Sequence, residues 1–283
     1  MTGRCADADI APQLDLSFRH HPARGTWLDR RVFRWPYTLS RGFRLDTAPP
    51  GTLTLILQTM SGAIQADDRL AQRIHVGPDA AAHIMTQGAT PVYRAPTGTS
   101  AEDNITLDLE DGGCIDYMPE LRILFPDASL TQRIRVRLPP SATAIVADGF
   151  VMHDPHGMDR PFRRYRSHLR LQRPDGTLLA TDRLALDAAP RGRGRPAQYV
   201  AHGTLIVATC RPKSCLEALC ADAEARMAAV PGLYAAASMM PNDAGAALRL
   251  AAIDGRHLRL GLQAGWAAAR LHVFGREPTQ RRI

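Results

Sequence analysis

Apolar and polar positions alternate along most of the chain from Leu14 to Ala208, a period of two that predicts β-strands rather than helices. The stretch between Leu14 and Leu45 is rich in aromatic and β-branched residues broken by Pro and Gly. It reads as short strands at a sheet edge, because Pro36 cannot donate to a central ladder. Leu53 to Leu57 (LTLIL) is a short apolar run that fits a strand buried on both faces. Residues 162–186 alternate again around an Asp175-Gly176 turn, and Leu205 to Ala208 forms a further strand.

Within this β region the sequence repeats itself. Three ungapped 14-residue segments align: RIHVGPDAAAHIMT from Arg73, TLDLEDGGCIDYMP from Thr106 and RVRLPPSATAIVAD from Arg135. Each is a strand, a turn of Gly, Pro or Asp, a small residue (Ala80, Gly113, Ala142) and a second strand. Successive copies start 33 and then 29 residues on. A strand–turn–strand unit recurring about every 30 residues predicts stacked β-layers, β-helix-like, each burying a face on the next. Ordinary hairpins with similar turns are the simpler alternative, and both readings make the region β.

Helical periodicity arrives only towards the end. Ser214 with Glu217 has the spacing of a capping box, Leu216, Leu219, Cys220, Ala223, Met227 and Val230 share one helical face, and Pro231-Gly232 stops the element, giving a helix near 214–230. A second runs near 256–274 on Leu258, Leu262, Trp266, Ala269 and Val273, weakened by Gly261 and Gly265 and stopped at Gly275. The fold class is therefore mainly β, with stacked sheets and two C-terminal helices. Residues 1–13 carry no period and read as a flexible leader, ahead of one domain over 14–283.

Size and composition change this picture little. A chain of 283 residues, 45% hydrophobic and 22% charged, can bury a core and has ordinary globular composition. A formal charge of +7 raises the question of nucleic acid, yet only one of 35 basic residues (Lys213) is lysine. Arginine is scattered along the chain, with local density only at 160–173 and 191–195, rather than clustered as a phosphate-binding footprint, so nucleic-acid binding is not expected. No run approaches the ~18 apolar residues of a membrane span. The start MTGRCADADIAPQ has no apolar signal core, and five cysteines make an odd set for a disulfide framework, so the expected compartment is the cytoplasm.

Candidate chemistry is sparse. Cys210, Cys215 and Cys220, spaced five apart, would point about 140° apart on a helix and cannot close on one ion, so they read as buried thiols. His153-Asp154-Pro155-His156 offers two imidazoles and a carboxylate but no partner to complete a site, and His20-His21 is an isolated pair. Asp67, Asp68 and Glu120, if stacked layers bring them together, would make a carboxylate cluster suited to a hard or borderline cation; solvated loop acids are the simpler reading. No nucleophile elbow, zinc-protease, phosphate-loop or dinucleotide motif occurs.

One segment, MSGAIQADDRLAQRIHVGPDAAAHIMTQGATPVYR (Met60 to Arg94), resembles the signature block of the UreD (UreH) family of urease accessory proteins. That family's pattern runs roughly PPGGIVGGDRL and, downstream, TTQAATKVYR. Gly62, Ile64, Asp68, Arg69 and Leu70 fall on the first part, and Thr86, Gln87, Ala89, Thr90, Val92, Tyr93 and Arg94 on the second. Ala63, Ala66 and Asp67 stand where the family has glycine, and Gly88 and Pro91 replace an alanine and a lysine. Pro119, Glu120 and Ile123 to Phe125 resemble a PQE–ILF segment, with the carboxylate displaced by one residue. Trp266-x-x-x-Arg270 and Gly275-Arg276 resemble the family's C-terminal helix and turn.

The resemblance implies a non-catalytic, mostly β scaffold that binds apo-urease and UreF, and helps the GTPase UreG pass nickel to the urease active site. It implies no tightly bound cofactor; transient nickel handling by carboxylate, amide and water oxygens would suit a conduit. Under it, Asp68, Gln87, Tyr93, Arg94 and Glu120 are the candidate route-lining or partner-binding residues. Two alternatives stay open: a small-molecule hydrolase or isomerase using Asp67 and Asp68 as an acid/base pair, and a metal-free interaction module serving another metalloenzyme.

Overall fold

A computed structural model describes residues 11–158, 160–187 and 199–279. The Gly/Arg run at 191–196 and residues 1–10 of the expected leader lie outside the described residues. In chain order the strands open with β1 (Leu14–His21), β2 (Gly25–Phe33), β3 (Tyr37–Leu39) and β4 (Leu53–Thr59). Next come β5 (Arg69–Val76), β6 (Ala81–Thr86), β7 (Thr90–Val92), β8 (Ala101–Leu109), β9 (Cys114–Met118) and β10 (Arg122–Leu124). Then follow β11 (Ser129–Arg137), β12 (Thr143–Met152), β13 (Arg164–Gln172), β14 (Leu178–Asp187) and β15 (Ala201–Ala208). Helix α1 (Lys213–Ala228), β16 (Leu233–Met239), β17 (Gly245–Ala252) and helix α2 (Gly255–Phe274) complete the fold.

The strands form a β-solenoid of two facing sheets. The first has the order β14-β13-β11-β8-β5-β1-β2 and the second β16-β17-β15-β12-β9-β6-β4-β3. In the first, β1, β5, β8, β11 and β13 run parallel, as do β4, β6, β9 and β12 in the second. Antiparallel strands close the ends, with β2 at one edge of the first sheet and β3 at an edge of the second, flanking the turn that holds Pro36.

The sequence repeat is the ladder register. Arg73, Thr106 and Arg135 sit side by side in the first sheet, and Ala81, Cys114 and Thr143 in the second. Between the sheets the small residues stack: Cys114 N donates to Ala80 O at 2.8 Å and Thr143 N to Gly113 O at 3.0 Å. Ala80 and Ala142 are fully buried, and a Cβ on Gly113 would lie 2.9 Å from Glu110 O and 3.2 Å from Val76 O. Only small residues let the corners pile up, which explains their recurrence in the alignment.

Inward positions of the alternation fill the core between the sheets, among them Leu16, Phe18, Leu55, Ile74, Leu107 and Val136. A second apolar layer lies between the outer face of the second sheet and both helices. Glycine is required where α2 crosses that sheet: a Cβ at Gly261 would come 2.5 Å from Leu233 Cδ2, and one at Gly265 2.7 Å from Leu248 Cδ2. The two glycines therefore set the depth of docking, although they lower helix propensity. Gly275 ends α2 in the left-handed conformation (φ 74°).

Two sequence expectations are corrected here. The Ser214/Glu217 capping box does not form. Pro212 occupies the N-cap position without a side-chain cap, so Ser214 already lies inside the first turn, and Glu217 Oε1 instead lies 3.7 Å from Lys213 Nζ. The three cysteines are not buried: Cys210 is exposed with Sγ 3.1 Å from Arg173 Nη2, while Cys215 and Cys220 are half-buried. The reason is that Leu216, Leu219, Ala223 and Met227 take the inner face of α1.

Candidate functional site

The loop before β5 and the exit after β6 lie against each other along one side of the solenoid. Ile64 N donates to Pro91 O at 2.8 Å and Tyr93 N to Ile64 O at 3.0 Å, with Ile64 and Val92 buried beneath. Asp67 holds the left-handed conformation (φ 65°). This accounts for the family's glycine at that position, since Asp is among the few other residues that tolerate it. Asp68 Oδ2 accepts from Gln65 N at 2.7 Å and so closes its own turn.

Tyr93 is exposed and meets Phe125 edge-on at 5.1 Å, and Phe125 meets His153 at 4.9 Å. These three rings follow β7, β10 and β12, which pair in parallel, so each successive coil contributes one ring to a surface ladder. Arg94 is exposed beside it, where its backbone bridges Ala128. His153 is thus a ring of the ladder. Asp154 accepts the backbone N–H of Arg160 at 3.0 Å and of His156 at 3.3 Å, which holds its carboxyl below the usual range; it is a turn residue.

Glu120 occupies a different position. Its N–H donates to Thr86 Oγ1 at 2.9 Å, next to exposed Gln87. A cavity of about 400 Å³ opens between the ends of β6 and β9, helix α2 and residues 277–279. A second, much smaller void lies in the lumen between the sheets, against Tyr117, Arg122, Gln132 and Asp148. Pro119, Glu120 and Ala147 are the wall common to both. Burial pushes the Glu120 carboxyl above its ordinary range, opposed by Arg259.

The candidates therefore do not form one group. Asp68, Tyr93 and Arg94 belong to the loop-and-ladder surface, Glu120 lines the cavity, and Gln87 is exposed next to Thr86, whose hydroxyl accepts the Glu120 N–H. The structure does not gather Asp67, Asp68 and Glu120 into one cluster: among the described residues no group of three or more His, Cys, Asp or Glu is placed to hold a metal ion.

Sequence reasoning missed the polar side chains inside the solenoid. Arg122 and Asp103 form a buried ion pair, Gln72 Nε2 donates to Asp103 at 3.4 Å, and Tyr117 donates to Gln72 Oε1 at 3.2 Å. Tyr165 and Ser167 both donate to Asp148, at 3.2 and 2.6 Å. Burial raises the Asp103 carboxyl while Arg122 holds it down. The available signal was the polar residue at an inward position of an alternating strand, Asp103 in AEDNITLDL.

The model of the UreD urease accessory protein family matches residues 11–283. The chain belongs to the UreD family. Urease accessory protein UreD 2 of Bradyrhizobium sp. (strain ORS 278) is 42% identical over 269 residues, covering 95% of this chain and 93% of that protein. UreD 1 of Pseudomonas syringae pv. tomato (strain ATCC BAA-871 / DC3000) is 34% identical over 271 residues, with 94% of each covered. UreD proteins are non-catalytic accessory proteins of urease maturation. Asp67 is exposed in a left-handed turn and the Asp68 carboxylate accepts from Gln65 N within its own loop. No helix among the described residues is long and apolar enough to cross a membrane.

Proposed function

We propose that this UreD-family chain is a cytoplasmic scaffold that holds apo-urease together with UreF-type and UreG-type accessory proteins while nickel is delivered. The reading is carried by Glu120, a half-buried carboxylate on the wall common to an open cavity and the polar lumen. A carboxylate there, with exposed Gln87 next in sequence to Thr86, whose hydroxyl accepts the Glu120 N–H, suits transient nickel handling, because oxygen ligands release the ion where His or Cys clusters would trap it. Nickel is the cargo in this reading, not a resident cofactor.

Asp68, Tyr93 and Arg94 are assigned to partner contact. Tyr93 stands, exposed, on a ring ladder that runs along the coils, and aromatic and Arg side chains are the usual anchors of protein interfaces. Co-purification with the apo-urease and the UreF-type protein of the same genome tests the reading. The wild-type chain is expected to bring both down, and Tyr93→Ala to weaken capture by about tenfold, as for an interface anchor. A folded wild-type chain that captures neither protein overturns it.

A further inference from the structure

The outer face of the first sheet carries a patch of arginine that the loop, the ring ladder and the cavity leave unused. On β11, β13 and β14 the apolar residues Ile134, Leu169 and Leu171 point inward, which turns Arg133, Arg135, His168, Arg170 and Arg183 outward. Ladder register sets these residues side by side. Arg133, His168 and Arg183 form one row across the three strands, and Arg135 and Arg170 form the next. Arg183 Nε lies 3.4 Å from His168 Nε2.

Elsewhere in the same sheet several arginines are paired with carboxylates. Arg30 and Arg73 meet Asp15, Arg137 meets Asp108 and Arg166 meets Asp187. Arg133 also has a carboxylate, Glu102 at 2.9 Å. Arg170 and Arg183 have no carboxylate partner among the described residues. In the ladder Arg183 stands opposite His168 and Arg170 opposite Arg135, so basic side chains crowd one part of the face. Consistent with this crowding, the His168 imidazole is held below its ordinary range by burial and by Arg183, Arg170, Arg133 and Arg135.

We propose that this face docks an acidic surface of a protein partner, with Arg170 and Arg183 as its electrostatic centre. The face has no Phe, Tyr or Trp among the outward residues of the three strands, so it lacks the stacking platforms of a single-strand nucleic-acid site. A broad sheet face also does not enter a duplex groove, which admits a helix or a two-stranded ribbon. An acidic protein surface matches both its charge and its breadth. The partner's identity rests on the accessory-protein reading above; the chemistry of the face does not.

Titrations of the full-length chain with poly-L-glutamate and with a DNA duplex, at low and high salt, test the proposal. Arg170→Glu/Arg183→Glu is compared with Arg31→Glu/Arg41→Glu, an equal change of charge at exposed positions near the opposite edge. Arg170→Gln/Arg183→Gln serves as a milder variant, and thermal melts confirm that all three fold. The expected result is polyglutamate binding weakened about tenfold or more by the first pair, less by the Gln pair, and under about threefold by the control. Binding by the wild type should also fall with salt. Equal losses in the Arg170/Arg183 and control variants overturn the proposal, as does tighter binding to DNA than to polyglutamate through the same arginines. The same variants are then assayed against the cognate apo-urease and UreF-type protein. Capture of neither by the wild type, with the polyglutamate result intact, sinks the accessory reading and leaves the basic face standing. Capture by the wild type with no selective polyglutamate loss does the reverse.

Discussion

Arg270 and Asp116, 154 positions apart, form an ion pair closed off from solvent, with side chains 1% and 3% exposed. Trp266 Nε1 donates to the same Asp116 oxygen at 3.0 Å, and Arg270 also donates to Ala48 O. The Trp-x-x-x-Arg spacing places both donors one helical turn apart on the inner face of α2, above β9. The motif is thus a clamp that fixes the C-terminal helix to the solenoid wall.

Replacing Asp116 by Ala leaves the Arg270 charge buried without its carboxylate and should cost about 3–5 kcal/mol in denaturant unfolding. Asp116→Leu/Arg270→Met should recover much of that loss, because a buried pair replaced by apolar groups is often close to neutral. A single-variant loss below about 1 kcal/mol would mean that the clamp contributes only as much as an exposed pair.

Gly113→Ala should destabilise by about 1–3 kcal/mol, since its Cβ would press on the backbone carbonyl of Glu110, 2.9 Å away. Gly88→Ala should stay within about 0.5 kcal/mol of wild type, because a Cβ there has nothing within 4 Å. Thermal melts of the two variants separate a repeat position set by stacking from a glycine of no steric consequence.

Asp15 accepts from Arg73 at 2.5 Å and Arg30 at 2.8 Å, and these hydrogen bonds and charges, Arg73 foremost, hold its carboxyl below the usual range despite burial. Its folded pKa is therefore depressed relative to the unfolded chain. The contribution is complete above about pH 4, the unfolded value, and is lost as pH falls through the folded one. Asp15→Asn should lower stability at pH 7 and flatten the acid side of a stability–pH curve. An unchanged acid limb would show that the ion pair contributes nothing.

Glu120 has the opposite sign. Burial raises its carboxyl above the usual range, so its charge destabilises the fold at neutral pH, and that cost is relieved as pH falls through the raised value. Glu120→Gln should therefore raise the melting temperature slightly at pH 7, with the gain vanishing in acid, while nickel loading of urease declines. A variant that gains stability and still loads nickel normally would make Glu120 a chance buried acid.

The stacked fold was legible because the inward period of two and the small corner residues Ala80, Gly113 and Ala142 both follow from the way one coil rests on the next. The helix ends were legible within one or two residues, although Pro212 displaced the Ser214 cap. The interior polar chains were not. Asp103 and Arg122 lie 19 residues apart, on strands of different sheets, and no local pattern encodes a pairing made across a lumen. For the candidate site, the loop and exit matches singled out Asp68, Tyr93 and Arg94 as candidates, but only the fold separates their surface from the cavity that Glu120 lines.

The nickel content of urease purified from the native host tests the central claim most directly. Deleting this gene should leave folded urease with little nickel, and restoring the wild-type chain should refill it. Asp68→Ala and Glu120→Ala chains, folded by thermal melt, should restore it only in part. Urease that carries its full nickel complement in the deletion strain would contradict the account.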